Sequence, residues 1–334
     1  MAAEAWPRFL AALLVLALAV LIAAPPLLPK YFLDVLVSVL FTAYLGASWN
    51  ILGGYAGQFS FGHAAFFGIG AYTSTLLLLQ VGLTPWVGML AGGGLAAAFG
   101  LLAGYLSFRY GLKGPYFSLV TLAFAEMLRV VAVNTKAVGS SLGLVVPSAQ
   151  PAPGMFMFAG KLPYYYVILA MALAAMALTL AIERARLGYA LAAVRENEDA
   201  AEAAGVDALG TKLRAMAISS FLTALGGTFY AQYYAYIDPA ITFGPGVSIQ
   251  GLLPAIVGGA GTVLGPLLGA FVLTPVSELT RAALRGRAGA DVMLYGLVLM
   301  LVISYLPNGL MGLIGTKRAR RGKAAAVDIA HGGP

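Results

Sequence analysis

Two glycine-dense stretches hold most of the residues whose types and spacing could handle a solute. "GGYAGQFSFGH" places Gln58, Ser60 and His63 among Gly53, Gly54 and Gly57. "GGAGTVLGP" sets Thr262 among Gly258, Gly259 and Gly261. Amide, hydroxyl and imidazole groups donate and accept hydrogen bonds. A helix restarting after a break adds free N–H groups and a positive dipole end, which suit a carboxylate. This is binding chemistry, with little that could break a covalent bond. The chain has zero cysteines and two histidines, so thiolate nucleophiles and thiolate metal sites are excluded. No H-E-x-x-H or G-x-x-x-x-G-K-[ST] sequence occurs. "GGAGTVLG" has a superficial likeness to a dinucleotide fingerprint, but it lacks the G-x-G-x-x-G spacing and a preceding strand.

The elements that must position these groups are membrane helices. The 334 residues are 60% hydrophobic and only 10% charged. Apolar runs recur at about the 20 residues that a bilayer crossing needs. We expect a single all-α transmembrane domain over 1–334, with ten crossings near 9–29, 32–52, 63–81, 84–107, 116–135, 163–182, 212–236, 247–258, 266–284 and 290–306. The first run is read as a retained span, being long for a cleaved signal and lacking an A-x-A-type site. An even count puts both termini on one side. The basic tail 315–334, with Lys317, Arg318, Arg320, Arg321 and Lys323, marks that side as cytoplasmic. The same bias explains the net charge of +7 without nucleic acid as a partner.

The glycine stretches interrupt these spans in corresponding halves of the chain. Non-helical backbone at membrane depth survives only where protein or a water-filled cavity satisfies it, so paired breaks point to a translocation path. Along the fourth crossing, Gly88, Gly92, Ala96, Gly100 and Gly104 form a stripe of small residues suited to close helix packing. Glu126 and Arg129, and again Glu278 and Arg281, are three apart on a helix and can neutralise each other. A proton- or sodium-coupled carrier would instead expose unpaired carboxylates near the midplane.

A soluble block, 183–211, interrupts the apolar pattern. With Lys212 and Arg214 it holds a third of the chain's 20 basic and 13 acidic residues. Alanine and glutamate favour a helix, and Gly205 supplies its stop. Such a helix suits docking to a cytosolic partner. The candidates for that contact are Arg195, Glu196, Asn197, Glu198 and Glu202, with Gly205 closing the helix. Arg195, Glu198 and Glu202 are spaced to share one helical face. If nucleotide hydrolysis drives transport, the motor is a separate chain.

The segment "GYALAAVRENEDAAEAAGVDALGTKLRAMAISSFLTALGGTFYAQYYAYIDP" closely resembles permease subunits of branched-chain amino acid ABC importers. So do "GGYAGQFSFGHAAFFGIGAY", "GPYFSLVTLAFAEMLR", "GGAGTVLGPLLGA" and "PNGLMGLIG", in the same order. The "GPYFSLVTLAF" stretch and the chain length resemble the M-type of the two paired permeases. The family's usual Thr-Gly-Gly after the fifth span is replaced by "AVGSSLGL". The resemblance implies a non-catalytic subunit in a bacterial inner membrane, working with a second permease, two ATP-binding subunits and an extracytoplasmic binding protein. ATP and magnesium would belong to the ATP-binding subunits, and no cofactor to this chain. The implied cargo is leucine, isoleucine and valine. Urea or short-chain amides in the same type of complex are the alternative, followed by an ion-coupled carrier.

Overall fold

The computed structural model describes residues 19–146, 152–283, 296, 300 and 309–312. Pro29 caps α1 (Lys30–Asn50), and the first break separates it from α2 (His63–Leu76). Prolines in the first turn, where a missing N–H costs nothing, open α3 (Pro85–Arg109) and α4 (Gly114–Asn134). α5 (Lys161–Arg184) follows. Two short helices, α6 (Arg186–Glu196) and α7 (Glu198–Ala203), lead into α8 (Ala208–Tyr234). A four-residue α9 (Pro239–Thr242) precedes α10 (Pro245–Gly258), and the second break separates α10 from α11 (Gly265–Ala283). One small antiparallel pair, β1 (Leu144–Val145) with β2 (Tyr236–Ile237), ties two loops together.

The long helices run back and forth between two ends. At one end Asp34 of α1 bonds Lys161 of α5 and Tyr233 of α8. At the other lie both glycine breaks and Arg195. The connections at the Arg195 end, with the turns flanking them, carry Arg109, Lys113, Arg184, Arg186, Lys212 and Arg214. Those at the Asp34 end hold Lys30, Lys136 and Lys161.

Six helical stretches are long and apolar enough to cross a membrane: Lys30–Tyr55, His63–Val81, Pro85–Arg109, Gly114–Asn134, Lys161–Arg184 and Pro239–Gly258. The protein is therefore a multi-pass, all-α membrane protein, and six of the ten expected crossings meet that test. The expected crossing 212–236 is α8, whose 27 residues exceed the needed length but carry too many polar groups. Buried Ser219, Ser220, Thr223, Thr228 and Gln232 face protein, so this helix is shielded by its neighbours rather than by lipid. The expected crossing 247–258 is the 14-residue α10, about 21 Å long and short of a bilayer by itself. The expected crossing 266–284 is α11, too polar to meet the same test. Most of 9–29, nearly all of 290–306 and the tail 315–334 lie outside the described residues.

The stripe on α3 is a packing seam. A Cβ on Gly92 would come within 3.0 Å of the Gly70 Cα, and one on Gly88 within 2.9 Å of the Ser74 Cα, so α3 lies backbone to backbone on α2. Farther along, Gly100 and Gly104 meet Ser220 and Met216 of α8. Across α2 and α8 the fit is as close, with Gly227 facing the Phe67 carbonyl. Small residues let polar backbones approach, which is how helices associate where no hydrophobic force separates them from lipid.

Candidate functional site at the junction of two broken helices

After Asn50 the first helix widens into a π-helical turn, Ile51–Tyr55, and then stops. Gly57 turns the chain with φ +69°, a conformation that side chains with a Cβ rarely adopt. The second break turns at Gly259 and Gly261, with φ of +126° and +77°. Thr262 ties this loop to the restarting helix: its Oγ1 donates to the Gly259 carbonyl (2.7 Å) and accepts from the Gly265 N–H (3.1 Å).

The two breaks meet. Asn50 accepts from the Gly261 N–H at 2.8 Å through Oδ1 and donates to the Thr262 carbonyl at 2.9 Å through Nδ2. One side-chain amide thus satisfies two backbone groups that the broken helix leaves without partners. Gly54 must lack a side chain, because a Cβ there would run into Asn50 and the Gly261 nitrogen.

Arg195 completes the junction from the last turn of α6. Its Nη1 donates to the Gly54 carbonyl at 2.9 Å. Its Cγ lies 2.7 Å from where a Gly57 Cβ would stand, and Nη1 occupies the place of a Gly261 Cβ. Three glycines from two breaks are therefore moulded to one arginine. Tyr55 adds a second tie, donating to Glu183 at 3.0 Å.

The other path candidates do not gather here. Gly53 is packed under the Trp49 ring, and Gly258 lies against the start of α11. The Gln58 side chain donates to the nearby Ala56 carbonyl at 3.3 Å, and its backbone N–H to that of Leu52 at 3.1 Å. Ser60 is buried; its carbonyl accepts from Trp49 Nε1 (2.8 Å) and its Oγ from the Gly62 N–H (3.1 Å). His63 is buried with Nε2 2.8 Å from Ser219 Oγ, whose own hydrogen goes to the Ser48 carbonyl at 2.7 Å. Ser219 can then only accept, so the imidazole donates from Nε2 and leaves Nδ1 as a buried acceptor without a partner among the described residues.

The soluble block differs from the single helix expected. It breaks at Asn197, whose extended backbone (φ −158°) separates α6 from α7 and whose Oδ1 caps α7 through the Ala200 N–H at 3.0 Å. Arg195, Glu198 and Glu202 therefore do not share a face. Glu198 turns inward to Lys212, whose side chain is only 3% exposed, and to Lys113 at 3.4 Å. Glu198, with Asp199 behind it, raises the Lys113 pKa above its ordinary value. Lys212 also lies 4.8 Å above the Phe108 ring. Glu196 and Glu202 stay exposed. Gly205 closes α7 with φ +86°: its N–H bonds Glu202 and that of Val206 bonds Ala201, both at 2.9 Å.

Asn50, Lys113 and Lys212 are the functional candidates that sequence reasoning did not single out. The signal for Asn50 was faint, a lone amide three residues ahead of a Gly pair. Among the described residues no cluster of His, Asp and Glu could hold a metal ion. The junction holds no nucleophile or acid–base pair; what it can do is transmit displacement from α6 to both breaks.

The family of branched-chain amino acid transport system permease components matches residues 31–303. The high-affinity branched-chain amino acid transport system permease protein LivM of Escherichia coli is 30% identical over 331 residues, covering 91% of this chain and 74% of its own. LivH of Salmonella typhimurium is 30% identical over 140 residues, 42% of this chain and 44% of its own. A probable LivM of Methanocaldococcus jannaschii is 24% identical over 220 residues, 60% of this chain and 61% of its own. No solved structure matches. With the family match running from α1 through both broken helices to residue 303, this chain belongs to the permease components of branched-chain amino acid transport systems.

Proposed function

We propose that this chain is an M-type permease subunit of an ATP-driven importer for leucine, isoleucine and valine. It works with a second permease, two ATP-binding subunits and an extracytoplasmic binding protein in the plasma membrane. It is not itself an enzyme; ATP and magnesium act on the partner subunits. The Arg195 end faces the cytoplasm, as do both termini, in keeping with the basic residues gathered at that end.

The observation that carries this reading is Arg195. It is the residue through which the charged segment between α5 and α8 touches both glycine breaks. A partner that moves α6 and α7 thereby moves the carbonyl of Gly54 and the turn at Gly261. The breaks act as a gate closed by this contact, with the route for cargo beside it. Exposed Glu202, with Glu196 that also pairs with Arg195 at 3.5 Å, faces the ATP-binding subunit, since Glu198 is turned inward to Lys212.

Reconstitution with the partner subunits tests the reading. Binding-protein-dependent leucine uptake should require ATP hydrolysis. Uptake that followed a proton or sodium gradient without ATP would overturn the mechanism, and a preference for urea over leucine would overturn the cargo.

A further inference from the structure

α4 is the least buried of the six membrane-crossing candidates. Phe117, Thr121, Ala125 and Ala132 form its packed face. The opposite face, with Leu119, Ala123, Glu126 and Val130, is uncovered. Uncovered faces of the other spans look like lipid contacts: α3 shows Leu90, Leu95 and Leu102, and α5 shows Leu173 and Leu178. Only α4, among the six, carries charge away from its ends. Glu126 lies about 18 Å from the start of the helix and 12 Å from its finish, within the hydrocarbon thickness.

The pair is not arranged as a lone lipid-facing arginine would be. An arginine near a membrane surface normally extends toward the headgroups. Arg129 does the reverse, reaching back along the helix so that Nε and Nη2 donate to Glu126 at 2.5–3.0 Å. The guanidinium is thus drawn toward mid-depth while both side chains remain partly exposed. Nη1 has no partner among the described residues. At its other end the same helix borders the first break, where Ser118 donates to the carbonyl of half-exposed Phe59 at 2.6 Å.

A paired but open cation and anion at mid-depth, leading to the edge of the Arg195 junction, match a solute carrying both charges. We propose that this face of α4 lines the cargo route, and that Arg129 and Glu126 receive the carboxylate and ammonium of a zwitterionic amino acid in transit. This rests on the importer reading above. A second permease seated on the face is the competing occupant, and it would leave the pair dry.

The lack of native cysteine makes the test direct. Ala123→Cys and Val130→Cys flank the pair; Leu95→Cys on α3 and Ala125→Cys on the packed face are controls. Each is placed in the full complex, with partner cysteines removed, and exposed on both sides to a charged methanethiosulfonate during ATP turnover. Thiols react as thiolates, which form in water and not in lipid or a dry interface. We expect positions 123 and 130 to react at least about tenfold faster than the controls, and leucine to slow them where urea does not. The Glu126→Gln/Arg129→Gln variant should lose that protection and most leucine uptake. Unreactive cysteines in complexes that still import leucine would overturn the route while leaving the importer intact. So would protection unchanged in the double variant. Failure of the unaltered complex to import leucine would instead refute the importer reading.

Discussion

Asn50 and Gly261 are 211 residues apart in sequence, and the Asn50 carboxamide accepts the Gly261 N–H at 2.8 Å. With its second bond to Thr262, this side chain fastens one half of the permease to the other. Asn50→Leu fills a similar volume but leaves a part-buried N–H and a part-buried carbonyl unpaired, each costing at most about 1–3 kcal/mol. We expect a lower melting temperature for the purified permease, by several degrees, and loss of uptake. A melting curve identical to wild type would show that the clamp carries no weight.

Arg195→Ala should separate hydrolysis from transport. Without the guanidinium, α6 no longer grips the Gly54 carbonyl, so ATPase activity in reconstituted complexes persists while leucine uptake falls at least about tenfold, equivalent to about 1.4 kcal/mol or more of lost coupling. Arg195→Lys should rescue only in part, because one ammonium cannot both span the glycines and reach the carbonyl as the fork does. Full uptake in Arg195→Ala would refute the link.

Glycine substitutions divide by what surrounds them. Gly57→Leu and Gly261→Leu combine a left-handed backbone with a collision against Arg195, and both should abolish uptake without loss of membrane level. Gly205→Ala meets open space and suffers only backbone strain, about 1 kcal/mol, so uptake should stay near normal. Equal effects in all three would show that the junction's close fit is unimportant.

Glu198 and Glu202 should respond differently to charge reversal. Glu198→Lys sets a cation against buried Lys212, and breaking a buried pair costs about 3–5 kcal/mol, so the protein should be poorly stable. Glu202→Lys should leave stability within about 0.5 kcal/mol and act only on partner docking. Melting of the isolated permease and stimulated ATPase activity of the complex, measured side by side, distinguish them. A stable Glu198→Lys protein would refute the inward role.

Sidedness can be read from single cysteines. Ala203→Cys, at the Arg195 end, should react with an impermeant reagent only after permeabilisation. Ala137→Cys and Ala240→Cys should react in intact cells. The reverse pattern would invert the orientation.

The sequence carried the helices and the breaks, because apolar length and glycine spacing are local signals. The α3 stripe was legible for the same reason: every fourth small residue defines a face whatever it meets. Pairings across the chain were not legible. Nothing near Asn50 announces Gly261, and the long reach of Arg195 into the breaks depends on where α5 ends. The bend at Asn197 did leave a trace: an asparagine followed by Glu198 and Asp199 is an N-cap with acids in the first turn. The high helix propensity of the surrounding alanines hid it. Lys212 counted only as one more charge of the soluble block, because burial of a lysine depends on a partner that folding brings to it.

The polar interior of α8 bears on how the protein enters its membrane. Ser219 donates to the Ser48 carbonyl, Thr228 to that of Gly70, and the Leu222 carbonyl accepts from Tyr44. All three outside partners belong to α1 and α2, which a ribosome delivers first. α8 is too polar to partition into lipid unaided, so its insertion waits on a docking surface already assembled from earlier helices. A circular permutant beginning at α8 would present those groups to the translocon before their partners exist. It should stall there, even though its finished fold would be the same.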